Sequence, residues 1–102
     1  MSGQLAQLHP QLQPWARWLI GLWPYGQLTS TLRTRAEQTR LYAAYLRGES
    51  RFPALPPGSS MHELGRAFDY VAPAAVLEQL GQIWEQVGGR WGGARDPIHF
   101  EA

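Results

Sequence analysis

Two short segments constrain this chain most, because its aspartates and most of its histidines fall within them. Residues 60–69 read SMHELGRAFD and residues 91–101 read WGGARDPIHFE. Together they hold both aspartates of the 102-residue chain and two of its three histidines. His62 and Asp69 stand seven positions apart, too far to meet along one straight strand. The chain must therefore bend between them, and Gly65 is where it can. A strand over 65–71 would then put Gly65, Ala67 and Asp69 on one face at a period of two. His99 has to arrive on a neighbouring strand. Pro97 steers Asp96 away from helical geometry and makes Asp-Pro-Ile-His a tight entry into that strand.

A catalytic zinc takes three protein ligands and keeps one position open for water. His62, Asp69 and His99 form such a set, for one Zn2+ per chain. Asp96 lies three residues before His99, where a carboxylate could take a proton from water whose pKa zinc lowers to about 7. The dication with Asp69 would leave one net positive charge, which suits a developing oxyanion. The chain has no cysteine, so His and carboxylate are the only strong ligands on offer. Two other readings stay open on the residues alone. One is a buried, hydrogen-bonded His62–Asp69 pair with a structural His99. The other is a closed, structural zinc site with His9 or Glu63 as a fourth ligand.

The remaining chain reads as one α+β domain over 1–102, with residues 1–9 flexible and His9 in a solvated loop. A helix is expected from the Pro10/Pro14 region to Leu22, with Leu12, Trp15, Leu19 and Leu22 inward and Trp18 and Ile20 widening the stripe. A short β segment over 27–33 ends at Arg33. Thr34 and Glu37 form a capping box opening a helix to about Arg47, with Ala36, Leu41, Tyr42, Ala44 and Tyr45 inward. Residues 49–59 are a Pro-rich loop of the kind that borders sites. Pro73 opens a third helix over 74–87, with Val76, Leu77, Leu80, Ile83 and Trp84 inward. Short strands at 90–91 and 98–101 follow.

Net charge of +1 gives no electrostatic footprint for nucleic acid. The most apolar run, residues 18–23, is far shorter than the ~20 residues of a membrane span. The N-terminal residues carry no secretory pattern. A monomer made in the cytoplasm, binding neither membrane nor nucleic acid, is the expectation.

At these residues the sequence resembles the zinc metallopeptidases that include D-alanyl-D-alanine carboxypeptidases, D-alanyl-D-alanine dipeptidases and phage L-alanyl-D-glutamate endopeptidases. Ser60, His62, Gly65, Ala67 and Asp69 match the pattern S-x-H-x-x-G-x-A-x-D. Trp91, Gly92, Gly93, Asp96, His99, Phe100 and Glu101 match WGG followed by D/E-x-x-H-F-E. Ser30, Arg33, Glu37 and Gln38 agree with a weaker block, S-G-Y-R-S-x-x-E-Q, in which Thr31 and Leu32 replace Gly and Tyr.

The resemblance implies a hedgehog-like fold: a small antiparallel sheet carrying the metal, with about three helices packed on its other face. It implies zinc on His62, Asp69 and His99, Asp96 as general base, and Arg33 steadying the scissile carbonyl oxygen or a substrate carboxylate. It gives Ser60 a hydrogen bond to the substrate, while Glu37 and Gln38 serve the helix. The implied substrate is a peptidoglycan stem peptide, and the implied setting a phage or prophage lysis protein released to the cell wall, or a tail-associated virion component. An Asp at the base position is similar to the endopeptidase branch. Only Ala94 and Arg95 separate Gly93 from Asp96, fewer residues than family members commonly place there. A zinc-retaining module that binds without catalysis is the rival reading.

Overall fold

The computed structural model describes residues 4–50 and 53–102. The first three residues of the expected flexible start, and part of the expected loop at 49–59, lie outside the described residues. Three helices, α1 (Gln13–Gly21), α2 (Arg35–Leu46) and α3 (Ala74–Gln86), accompany four strands. These are β1 (Gln27–Ser30), β2 (Ala67–Val71), β3 (Arg90–Trp91) and β4 (His99–Glu101). They form one antiparallel sheet in the order β1-β2-β4-β3. The α+β architecture is the one expected.

Alternation along the central strands divides the sheet into two faces. Phe68, Tyr70 and Phe100 are buried in a core with Leu12 just before α1, Ala16 and Leu19 of α1, and Leu77, Leu80 and Trp84 of α3. Phe68 and Phe100 stack with ring centroids 5.3 Å apart, and Trp84 meets both edge-on at 5.6 and 6.4 Å. Burying each such side chain contributes about 1.5–3 kcal/mol, so this face anchors the domain. Asp69 and His99 project from the opposite face into a cleft of about 810 Å³, bordered across the gap by α2.

Several expectations need correction. Trp15, Trp18 and Leu22 are 51%, 42% and 48% exposed. The stripe that meets the core is Leu12, at the N-cap of α1, with Ala16 and Leu19, at spacings of four and three, and the rings at 15 and 18, each one position before a stripe residue, point outward. The helix starts at Gln13, with Pro14 in its first turn. Residues before it are held: Leu5–Gln7 form a 3-10 turn, Leu8 is buried, and the His9 amide donates to the Gly65 carbonyl at 2.9 Å. Leu8 is one more apolar anchor, which a count of polar neighbours hides.

In α2 only Gln38 is buried, and Ala36 and Leu41 are exposed. Two helices cover the core face, and α2 stands as a cleft wall rather than a core helix. The Thr34–Glu37 capping box is present as expected. β1 stops at Ser30 instead of Arg33, after an irregularity between Leu28 and Ser30. β2 begins at Ala67, because Met61–Leu64 form a 3-10 turn and Gly65, at φ 68°, makes the left-handed bend that ends it. Gly65 therefore supplies the bend but not a strand position.

Candidate metal centre

Asp69 and His99 are register partners across β2 and β4, so the pleat puts both side chains on the cleft face. His62 reaches the same point from the 3-10 turn that precedes β2. Ser60 caps that turn, its Oγ accepting from the His62 amide at 3.2 Å. The arrangement brings His62, Asp69 and His99 together, each offering one ligand atom, all within 4.8 Å of one another. His62 is 1% exposed, and its ring centroid lies 5.1 Å from that of His99.

The surrounding hydrogen bonds set which ring nitrogens face inward. His62 Nδ1 lies 2.8 Å from the Thr31 carbonyl, a pure acceptor, so Nδ1 carries the proton and Nε2 turns to Asp69 Oδ1 at 3.2 Å. His99 Nε2 lies 2.9 Å from Glu101 Oε1, leaving Nδ1 facing the same Asp69 oxygen at 3.3 Å. Two imidazole nitrogens and a carboxylate oxygen thus converge. Only a shared proton or a cation between them relieves that convergence. Two nitrogens and one oxygen of this kind are a zinc donor set, and the outer partners Thr31 and Glu101 orient the rings as metal-site neighbours do.

The second oxygen of Asp69, Oδ2, accepts from Arg33 Nη2 at 2.8 Å. Burial alone would raise the pKa of Asp69. The hydrogen bonds of His62 and His99 and the Arg33 charge outweigh it and hold the carboxyl well below the usual range. For His99, burial works against the charged form, but Asp69 and Glu101 raise its pKa above the ordinary 6.5. Burial lowers Arg33 against the pull of Asp69 and Asp96, yet a guanidinium stays charged in proteins.

Arg33 is fixed at three points. Besides Asp69, its Nε donates to Ser30 Oγ at 2.9 Å and its Nη1 to Gln38 Oε1 at 3.1 Å. Gln38 is fully buried and also donates to the Leu55 carbonyl at 2.8 Å. Gln38 therefore does more than serve its helix: it orients Arg33 and ties the 53–57 stretch to the cleft. Its burial inside a helix with no other buried residue is a signal that only the fold reveals.

Asp96 lies in the same cleft, beyond a tight turn over Gly93–Arg95. A side chain at Gly92 would collide with the Asp96 backbone, which is why the return is this short. Among the described residues the Asp96 carboxylate makes no hydrogen bond or ion pair. Burial and, after the opposing pull of His99, the Asp69 charge raise its pKa. Neither candidate fourth ligand joins the cluster. Glu63 accepts from the Gly58 amide at 2.8 and 3.1 Å, and exposed His9 accepts from the Gln11 amide at 3.2 Å. Sequence reasoning missed Glu101 and Thr31 as the groups that set the imidazole tautomers. HFE places Glu101 two residues from His99 on a strand, a spacing that puts both on one face.

Solved structures share this arrangement of elements. The vancomycin-resistance D,D-pentapeptidase VanY, solved with Zn(II), superposes with a TM-score of 0.70 at 18% identity, over 92% of this chain and 71% of that one. The fold is the one VanY has. The LD-carboxypeptidase LdcB gives a TM-score of 0.68 at 20% identity, over 92% of this chain and 64% of its own. The L-Ala D-Glu endopeptidase ChiX of Serratia marcescens gives 0.64 at 23% identity, over 95% and 81%. The chain thus spans just under two thirds of LdcB and a larger share of the other two. No protein-family model and no curated protein sequence matches it. At these identities the likeness establishes the fold.

Proposed function

We propose that this chain is a zinc-dependent peptidase that hydrolyses a peptide bond in peptidoglycan stem peptides. The observation that carries the reading is the convergence of His62 Nε2, Asp69 Oδ1 and His99 Nδ1 beside an unpaired carboxylate, Asp96, in one cleft. The fold shared with D,D-, L,D- and L-Ala-D-Glu peptidases supports the substrate class.

His62, Asp69 and His99 would hold the ion. Zinc in such a site supplies Lewis acidity, polarising a carbonyl and acidifying water. Asp96, raised in pKa by burial, takes the proton of the attacking water and passes it to the leaving amine. Arg33, with five N–H groups and three engaged, has donors left to steady the carbonyl oxygen. Ser60 lines the cleft and offers its hydroxyl to the substrate while capping its turn. The proposal includes a phage or prophage lysis setting, action as a monomer, and one domain over 1–102.

The test is mass spectrometry of products from defined stem peptides incubated with zinc-loaded protein. A single new cleavage that vanishes with chelator is expected. Intact peptides in the presence of fully zinc-loaded, folded protein would contradict the reading and favour a binding module.

A further inference from the structure

One cation of the cleft is not used by the metal centre. Arg95 sits on the turn between Gly93 and Asp96, and its Nη2 donates to Tyr45 Oη on α2 at 3.1 Å. That contact joins the two walls of the cleft, which both residues line. Among the described residues Arg95 makes no ion pair, whereas Arg33 is committed to Asp69, Ser30 and Gln38. Arg40 also lines the cleft, but it lies three residues from Glu37 on α2 and acts on that carboxylate. Arg95 is thus a guanidinium steered by a phenol and lacking a carboxylate of its own. A planar fork of N–H donors suits a carboxylate ligand.

Its place in the chain says which carboxylate. Under the reading above, Asp96 delivers a proton to the leaving nitrogen, so the neighbourhood of Asp96 is the leaving-group side. Arg95 is the adjacent residue. We propose that Arg95, oriented by Tyr45, recognises a free carboxylate on the carbon that bears the scissile nitrogen, and so makes that carboxylate a requirement for cleavage. The inference rests on the peptidase reading for its geometry. Two substrates carry this chemistry: a C-terminal residue, and an internal γ-linked D-glutamyl residue whose α-carboxylate is free.

The experiment uses two matched peptide pairs, each with that carboxylate free or amidated, one pair ending at the leaving residue and one continuing through a γ-linked D-glutamyl. Binding is measured by calorimetry on zinc-loaded Asp96→Asn protein, and hydrolysis on zinc-loaded protein with Asp96 intact. In at least one pair the free acid should exceed the amide about 10- to 100-fold in binding and in kcat/KM, the range of a charge-assisted hydrogen bond. The pair that shows it identifies the substrate type. Arg95→Gln, at an exposed position, should bring the acid-to-amide ratio near one, and Tyr45→Phe should reduce it severalfold. A ratio near one with Arg95 intact, or one that survives Arg95→Gln, overturns the proposal. Carboxylate-selective, Arg95-dependent binding without hydrolysis would overturn the peptidase reading and leave the carboxylate site standing.

Discussion

Asp69 divides its carboxylate between two tasks: Oδ1 faces His62 and His99, while Oδ2 accepts from Arg33 Nη2 at 2.8 Å. The same side chain thereby joins the candidate metal ligands to the guanidinium that faces the cleft. Removing it would unseat both. That dual contact explains why a single carboxylate on a short strand organises the whole face.

In the metal-free protein, Asp69 and Glu101 raise the pKa of His99 against the effect of burial, so protons compete with zinc for its ring. Its contribution to metal-free stability is fully present below the unfolded value of about 6.5 and is lost as pH rises through the higher folded value. Calorimetric titration with zinc near neutral pH should release protons, seen as a heat that varies with buffer ionisation enthalpy. The melting temperature of the metal-free protein should fall as pH rises above about 6.5. Heats independent of buffer would contradict this.

Asp96→Asn should keep zinc and lose activity by about 10²–10⁴-fold, the usual contribution of a general base. Metal analysis alongside kinetics on a stem peptide checks both halves. Unchanged turnover would remove Asp96 from the mechanism.

Glu101→Gln should weaken zinc binding about 10–100-fold, as loss of an outer partner does. Glu101 fixes His99 through Nε2 and is itself paired with Arg90 at 2.7 Å. Competition with a chromogenic chelator reads the affinity. An unchanged constant would mean that β4 alone orients the ring.

The motifs made the candidate ligands legible because metal chemistry restricts residue type, and the need for His99 on a strand beside Asp69 matches their register pairing. The pairing of β2 with β4 was legible too, since neither half-site works alone. Residues whose role depends on packing were not. Trp15 and Trp18 look like core by hydrophobicity, yet Ala16, fully buried, takes the inward position and the two rings stay exposed. Gln38 reads as a polar helix residue, and only the cleft wall formed by α2 reveals it as the support of Arg33.

Gly81 on α3 is buried where a side chain would collide with the Trp91 ring. Gly81→Ala should destabilise by about 1–3 kcal/mol, the range for overpacking, and lower the melting temperature by roughly 4–8 °C per kcal/mol. Because Trp91 Nε1 donates to the Pro97 carbonyl at 2.8 Å, the shift should also reduce activity through Asp96 and His99. A neutral effect in thermal melts would show that Trp91 can move without cost.

The most direct measurement is anomalous diffraction at the zinc edge from zinc-loaded crystals. We predict one ion per chain, held by His62 Nε2, an Asp69 oxygen and His99 Nδ1, with no fourth protein ligand. An ion bound elsewhere, or a closed site in which a further side chain completes the coordination, would contradict the account.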